Sequence, residues 1–182
     1  MMTSTEFKQQ VLPLGKKLYH FARLLLNNDA DAQDAVQETY LKLWKIKDRL
    51  KGLNNLEAFA MKMTKNWCLD RLKAKKPLLV DNYTSGYDPE HDSENPHATL
   101  ETTDKMNRFK NLMKLLPEQQ QIILQLRDIE GYEFEEIAEI TGINPNAVRV
   151  NLSRARKKIR ESMTKIENYG SEKDRNTTSE IL

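Results

Sequence analysis

Three groups of side chains have the residue types and spacing to do chemistry or recognition. The first lies in "NPNAVRVNLSRARKKIRE", residues 144–161. Val148, Leu152, Ala155 and Ile159 recur at steps of four, three and four, which makes one apolar line on a helix. Asn146, Ala147, Arg149, Val150 and Ser153 then point away from that line, near the helix start. Arg149 has the fork to donate two hydrogen bonds to a guanine, and Asn146 has the paired donor and acceptor for an adenine. Val150 offers an apolar surface to a thymine methyl. Further along, Arg154, Arg156 and Lys157, with Lys158 and Arg160, suit phosphates, which position a protein on DNA without specifying sequence. The alternative is a solvated basic helix end, which the helix macrodipole favours anyway.

The second group is Asp31, Asp34 and Glu38. Three carboxylates at this spacing could bind a metal, form an acid/base pair, dock a partner, or merely suit a helix N-terminus. His20, His91 and His97 show no ligand spacing with each other or with these acids. A protein-docking face, with Gln37, Leu41 and Lys42 beside it, is therefore preferred to a metal site. The third group is Lys62, Lys65, Arg71, Lys73, Lys75 and Lys76, with Asn66, Phe59 and Trp67 among them. Lysines, an amide and aromatic rings could hold single-stranded DNA with an extracted base. The three- and four-residue spacing of Phe59 and Trp67 with Leu56, Ala60 and Met63 places both rings more readily in a core.

Helical elements must position these groups. An apolar period runs from about Thr5 to Leu26, and Pro13 should kink or split it. Asn28 or Asp29 can cap the next helix, whose apolar side is Ala32, Ala35, Val36, Thr39, Tyr40, Leu43 and Trp44. Gly52 breaks the pattern, and a third helix runs from Asn55 or Leu56 to about Lys75. In the C-terminal half Pro117 opens a helix and Gly131 ends it. A short helix with Ile137, Ala138 and Ile140 inward follows, then Gly142 where a left-handed residue is expected. Asn144 caps the last helix and Pro145 fills its first turn. Two helices joined by so short a turn match the DNA-binding helix-turn-helix.

Composition agrees with an all-α chain in which two small helical domains are joined by an acidic flexible linker, the second containing the helix-turn-helix. Charged residues make up 31% of 182 residues and aromatics 7%, which suits amphipathic helices better than sheet. Residues 77–104 hold no Lys or Arg but seven Asp or Glu and three Pro, the signature of a tether. The expected division is 1–76, a linker at 77–104, 105–166, and a polar frayed tail at 167–182. The lone Cys68 cannot make an internal disulfide, which fits a reducing cytoplasm. No apolar run reaches the roughly 18 residues of a membrane span, and the N-terminus lacks a signal-peptide core.

At this point "DAQDAVQETYLKLW" resembles the polymerase-docking helix of bacterial sigma factors. "LPEQQQIILQLRDIEGYEFEEIAEITGINPNAVRVNLSRARKKIRE" is similar to their promoter-reading C-terminal domain. Two domains with only a linker between them resemble the extracytoplasmic-function (ECF) group, over roughly residues 5–76 and 105–163. The resemblance implies a promoter-specificity subunit with no enzymatic chemistry and no cofactor. Asp34, Gln37, Glu38, Leu41 and Trp44 would belong to the helix that docks on the beta-prime coiled coil of core RNA polymerase. Lys62, Lys65, Asn66, Arg71 and Lys73 would serve the minus-ten element, with Asn66 lining the pocket for a flipped base. The linker would thread the RNA-exit path. The second domain would sit on the beta flap and read the minus-thirty-five element of promoter DNA. An anti-sigma factor is a further partner the family admits. Val150 and Asn151 depart from the family's usual chemistry, so the promoter sequence does not carry over. Trp67 stands where a smaller residue is usual. Two rival functions remain: an autonomous regulator binding an operator without polymerase, and a metal-dependent nuclease using Asp31, Asp34 and Glu38.

Overall fold

The computed structural model describes residues 2–75 and 100–178, with side chains over 2–75 and 107–165; of the expected linker, 77–104, residues 77–99 lie outside this range. The elements are α1 (Ser4–Gln10), a 3-10 turn (Leu12–Leu14), α2 (Gly15–Leu26), α3 (Asp29–Lys45), α4 (Lys47–Leu50), α5 (Leu56–Lys75), α6 (Leu100–Lys114), α7 (Glu118–Leu124), a π-helical turn (Gln125–Ile129), α8 (Phe134–Thr141) and α9 (Pro145–Thr178). Among the described residues there is no strand.

Local chemistry sets most of the boundaries. Thr3 and Glu6 form a reciprocal capping box at α1. The Glu6 amide donates to Thr3 Oγ1 at 3.2 Å, and the Thr3 amide to Glu6 Oε2 at 2.7 Å. Pro13 then splits the first helical run into α1 and α2 through a 3-10 turn, as its ring requires. Asn27 takes the left-handed conformation at φ 51° to end α2, and Asn28 caps α3 through the Asp31 amide at 2.9 Å, both common helix-end devices. Asn55 caps α5 through the Ala58 amide at 2.9 Å.

In the first domain, Leu18, Phe21, Ala22 and Leu25 of α2 meet Ala32, Ala35 and Leu43 of α3 and Ala58, Ala60, Met61 and Cys68 of α5. The small residues on α3 and α5 let the helix axes approach, and the hydroxyls of Thr39 and Thr64 stand 2.9 Å apart across that contact. This corrects two expectations. The most buried line of α5 is Ala58, Met61, Thr64, Lys65 and Cys68; of the expected stripe only Ala60 is fully buried, while Leu56, Phe59, Met63 and Trp67 are half-buried. Trp44, on the expected apolar side of α3, stands outside the core.

In the second domain, Met113, Ile122, Ile123 and Leu126 pack on Ile137 and Ile140 of α8 and on Val148, Leu152 and Ala155 of α9. The helix α6 starts inside the stretch expected to be linker. The helix α9 continues to Thr178, past the expected end at 166, where Glu, Lys and Arg outnumber the single Gly170 as helix formers.

The two domains touch. α8 lies along α5, and the apolar core is continuous across both units. Gln125 Nε2 donates to the Phe21 carbonyl at 3.1 Å, and Asn55 Nδ2 to Glu136 Oε1 at 2.8 Å. Lys17 bonds Glu57 at 2.5 Å while its ammonium lies 4.1 Å from the centre of the Tyr132 ring. The picture of domains joined by the tether alone is therefore incomplete.

Candidate nucleic-acid and polymerase interface

The helix-turn-helix is built as its residues dictate. A reciprocal capping box between Glu133 and Glu136 starts α8. Gly142 closes it in the left-handed region at φ 77°, where a side chain would be strained. Asn144 Oδ1 accepts from the Ala147 amide at 2.8 Å, and Pro145 is the first residue of α9, each in its favoured place. With Val148, Leu152 and Ala155 fixed inward, Asn146, Arg149, Val150, Ser153, Arg154 and Lys157 are exposed together, and Ala147 is half-exposed among them. Val150 is 48% exposed, an apolar side chain with no core to join.

Arg149 is held in place by its neighbours. Its Nη1 donates to Asn146 Oδ1 at 3.1 Å, and its guanidinium lies 4.7 Å from the centre of the Phe134 ring, within cation–π range. Glu135 Oε1 stands 3.7 Å from its Nη2. A groove of about 600 Å³, lined by Phe134, Arg149, Ser153 and Lys157 among others, runs beside it. Arg156 is engaged differently: its Nε and Nη2 fork onto Asp128 at 3.0 and 2.5 Å. That bond raises the Arg156 pKa, outweighing the opposing effect of burial. Arg156 thus pins α9 to the π-helical turn, whereas its basic run alone suggested a phosphate contact.

On α3, Asp34, Gln37, Glu38 and Leu41 are all exposed, Leu41 by 54%. Their spacing puts them on one face. Trp44 continues that face: Phe7 meets it edge-on at 5.0 Å, and Lys47 Nζ lies 4.2 Å from its ring centre. Asp31 leaves this group. It is buried and bonds Arg71 Nε at 3.0 Å and also Lys75. Burial pushes its carboxyl up, but the bonds from Lys75 and Arg71 outweigh that and hold it below the usual carboxylate range. The trio that suggested a metal site does not converge, and no metal-binding group of three or more appears among the described residues.

On α5, Asn66 and Lys73 are exposed, Arg71 is tied to Asp31, Lys62 is half-buried and Lys65 is 8% exposed. Burial pushes the Lys65 ammonium below its ordinary value, and Lys62 adds to the shift. Sequence reasoning missed Phe134, Glu135 and Asp128, which hold Arg149 and Arg156 of α9 from outside that helix. An aromatic residue opening α8 and an acid three residues before Gly131 were the only signals for them.

A two-domain, all-helical chain with an intact helix-turn-helix and an exposed acidic-apolar helix face has the design of a transcription initiation factor. Residues 11–77 match the family description "Sigma-70 region 2", and residues 106–159 match "Sigma-70, region 4". The RNA polymerase sigma factor SigV of Bacillus subtilis is 31% identical over 148 residues, covering 81% of this chain and 84% of that protein. The ECF RNA polymerase sigma factor SigE of Mycolicibacterium smegmatis is 25% identical over 151 residues, 82% of this chain; the match spans only 58% of that protein. The fold also matches the sigma factor RpoE, solved in complex with the anti-sigma factor NepR from Bartonella quintana, with TM-score 0.73 and 23% identity over 88% of this chain and 98% of that one. The chain belongs to the ECF group of RNA polymerase sigma factors.

Proposed function

We propose that this chain confers promoter specificity on core RNA polymerase by gripping promoter DNA at two points. The observation that carries this is a single chain bearing both a DNA-reading helix with its caps in place and, on α3, an exposed face of acids and large apolar residues. An operator-binding regulator working alone needs the first and has no use for the second.

The α3 face of Asp34, Gln37, Glu38, Leu41 and Trp44 docks on the beta-prime coiled coil. Carboxylates supply charge complementarity, and Leu41 and Trp44 supply apolar area at the centre of the contact. The second domain rests on the beta flap, and α9 enters the major groove of the minus-thirty-five element with Asn146, Arg149 and Val150 at the base edges. Ser153, Arg154 and Lys157 hold phosphates. On α5, Lys62, Lys65, Asn66 and Lys73 receive the melted minus-ten strand. The unpairing cost of a few kcal/mol per base is offset by pocket contacts and polymerase binding. No covalent step is required of the chain. Like RpoE with NepR, it is held by an anti-sigma factor when not needed.

Charge reversal at Asp34 and Glu38 tests the docking assignment. The double variant Asp34→Lys, Glu38→Lys should lose affinity for core polymerase in a competition assay while keeping its helix content. Both residues are exposed, so folding is spared. Undiminished polymerase binding would remove α3 from the interface.

A further inference from the structure

The helix α1 is too short to stand on its own. It has seven residues, where an isolated helix in water needs about 12–15. It also lies ahead of residue 11, where the region 2 match begins. Yet it is firmly packed: Met2, Phe7 and Val11 are all buried, and the Thr3–Glu6 box closes its start. Ordering such a segment costs conformational entropy, so the residues it packs against show what it stabilises.

Its partners gather on one flank of the α3 face. Phe7 meets Trp44 edge-on, with ring centres 5.0 Å apart and planes at 89°, an arrangement that aromatic quadrupoles favour. Lys51, at the end of α4, donates to Glu6 Oε1 at 2.7 Å. The turn after α1 is fixed to α3 as well, since Tyr40 Oη donates to the Leu12 carbonyl at 2.7 Å. Tyr40 and Trp44 are four residues apart and so stand one above the other on that helix. On the Trp44 ring itself, Lys47 Nζ lies 4.2 Å from the centre, within cation–π range.

Trp44 is thus an exposed indole that is not free to turn. It is 41% exposed, yet Phe7 meets one edge and Lys47 one face. A large side chain on a bare helix exchanges rotamers, and freezing it on binding weakens the complex. We propose that Phe7 is a positioning residue for polymerase docking: through it, α1 sets the Trp44 ring in its docking pose in the free chain. α1 acts through that ring rather than by touching polymerase itself. This rests on the reading of the α3 face as the polymerase contact.

The chain has two tryptophans, so Trp67→Phe leaves Trp44 as the sole indole reporter. All variants are made in that full-length background. Phe7→Leu keeps apolar bulk in the buried site and removes the ring edge. In the free chain the Trp44 emission should then shift to longer wavelength, its quenching by acrylamide should increase and its anisotropy should fall. Binding to core polymerase, read by competition, should weaken by roughly two- to tenfold, the cost of ordering one large side chain on binding. Trp44→Leu should weaken binding by at least as much, because it removes the anchor itself. Phe7→Leu should add nothing to that loss.

Unchanged Trp44 emission and anisotropy in Phe7→Leu overturn the positioning role, and so does undiminished polymerase affinity. An equal loss from Phe7→Leu in the Trp44→Leu background overturns it too, because α1 would then act by another route. If Trp44→Leu weakens binding and Phe7→Leu does not, the docking face stands and only the positioning is wrong. If Trp44→Leu itself leaves binding unchanged, Trp44 leaves the docking face and the inference falls with that assignment.

Discussion

Replacing Phe134 by Leu tests how the recognition helix is prepared. The Phe134 ring centre lies 4.7 Å from the Arg149 guanidinium, whose side chain is 49% exposed. A cation–π contact at an exposed site is worth about 0.5–1 kcal/mol, which converts to roughly a two- to fivefold loss. Leucine keeps the apolar bulk that Phe134 packs against the core, so α8 should stay in place. Arg127 also lies near the ring, but its bonds to the Tyr132 carbonyl at 2.7 Å and to Glu133 at 2.9 Å keep it anchored. The assay is holoenzyme binding to promoter fragments, each altered at one minus-thirty-five position, in a cycle with Arg149→Ala. Arg149→Ala alone should cost about 1–3 kcal/mol at the position it reads. Phe134→Leu should weaken discrimination at that same position, leave the salt dependence unchanged, and have no further effect once Arg149 is gone. An equal loss across all sequences, or an undiminished effect in the Arg149→Ala background, would refute the idea that Phe134 acts through Arg149.

Further expectations follow from the same packing. Asp31 has a folded pKa below its ordinary value, so its contribution is present above the ordinary carboxylate pKa and disappears as pH falls through the lowered one. Asp31→Asn should therefore cost about 2 kcal/mol in urea unfolding at pH 7, and its difference from wild type should vanish at strongly acid pH; a constant difference would mean packing, not charge, is at stake. Cys68 is fully buried, and burial first, then the Asp31 charge, pushes its thiol up to about 12. A disulfide reagent at pH 8 should leave it unmodified until denaturant is added, and rapid native labelling would contradict its placement. Gly142 sits at φ 77° with nothing near the methyl that an alanine would add. Gly142→Ala should therefore lose about 1 kcal/mol of stability from backbone strain alone, and a neutral result would mean the turn relaxes.

The parts of the molecule readable from the sequence are those whose causes are local. The Asn144 cap, the Gly142 turn, the split at Pro13 and the line Val148, Leu152, Ala155 each depend on neighbours within a turn or two. So does the exposure of Asn146, Arg149 and Val150, which follows once that line is fixed. What could not be read depends on distant partners. In the sequence Asn55 marks the start of a helix and nothing more until Glu136, 81 residues later, is brought to it. Gln125 meets Phe21 across 104 residues. Asp31 was grouped with Asp34 and Glu38 by spacing, but Arg71 and Lys75, 40 and 44 residues on, draw it inward. The buried line of α5 was misplaced for the same reason: a helix covered by α2, α3 and α8 has no single apolar stripe to find.

The central claim is that this chain directs polymerase to particular promoters and does not act alone. Promoters selected from random DNA by the reconstituted holoenzyme, then used as templates for run-off transcription with core RNA polymerase, test it most directly. The account predicts defined transcripts that require the chain, the polymerase and both promoter elements, and that fade when Arg149 or the Asp34–Glu38 face is changed. Transcription no different from core polymerase alone, or a tight sequence-specific DNA complex formed without polymerase, would contradict it.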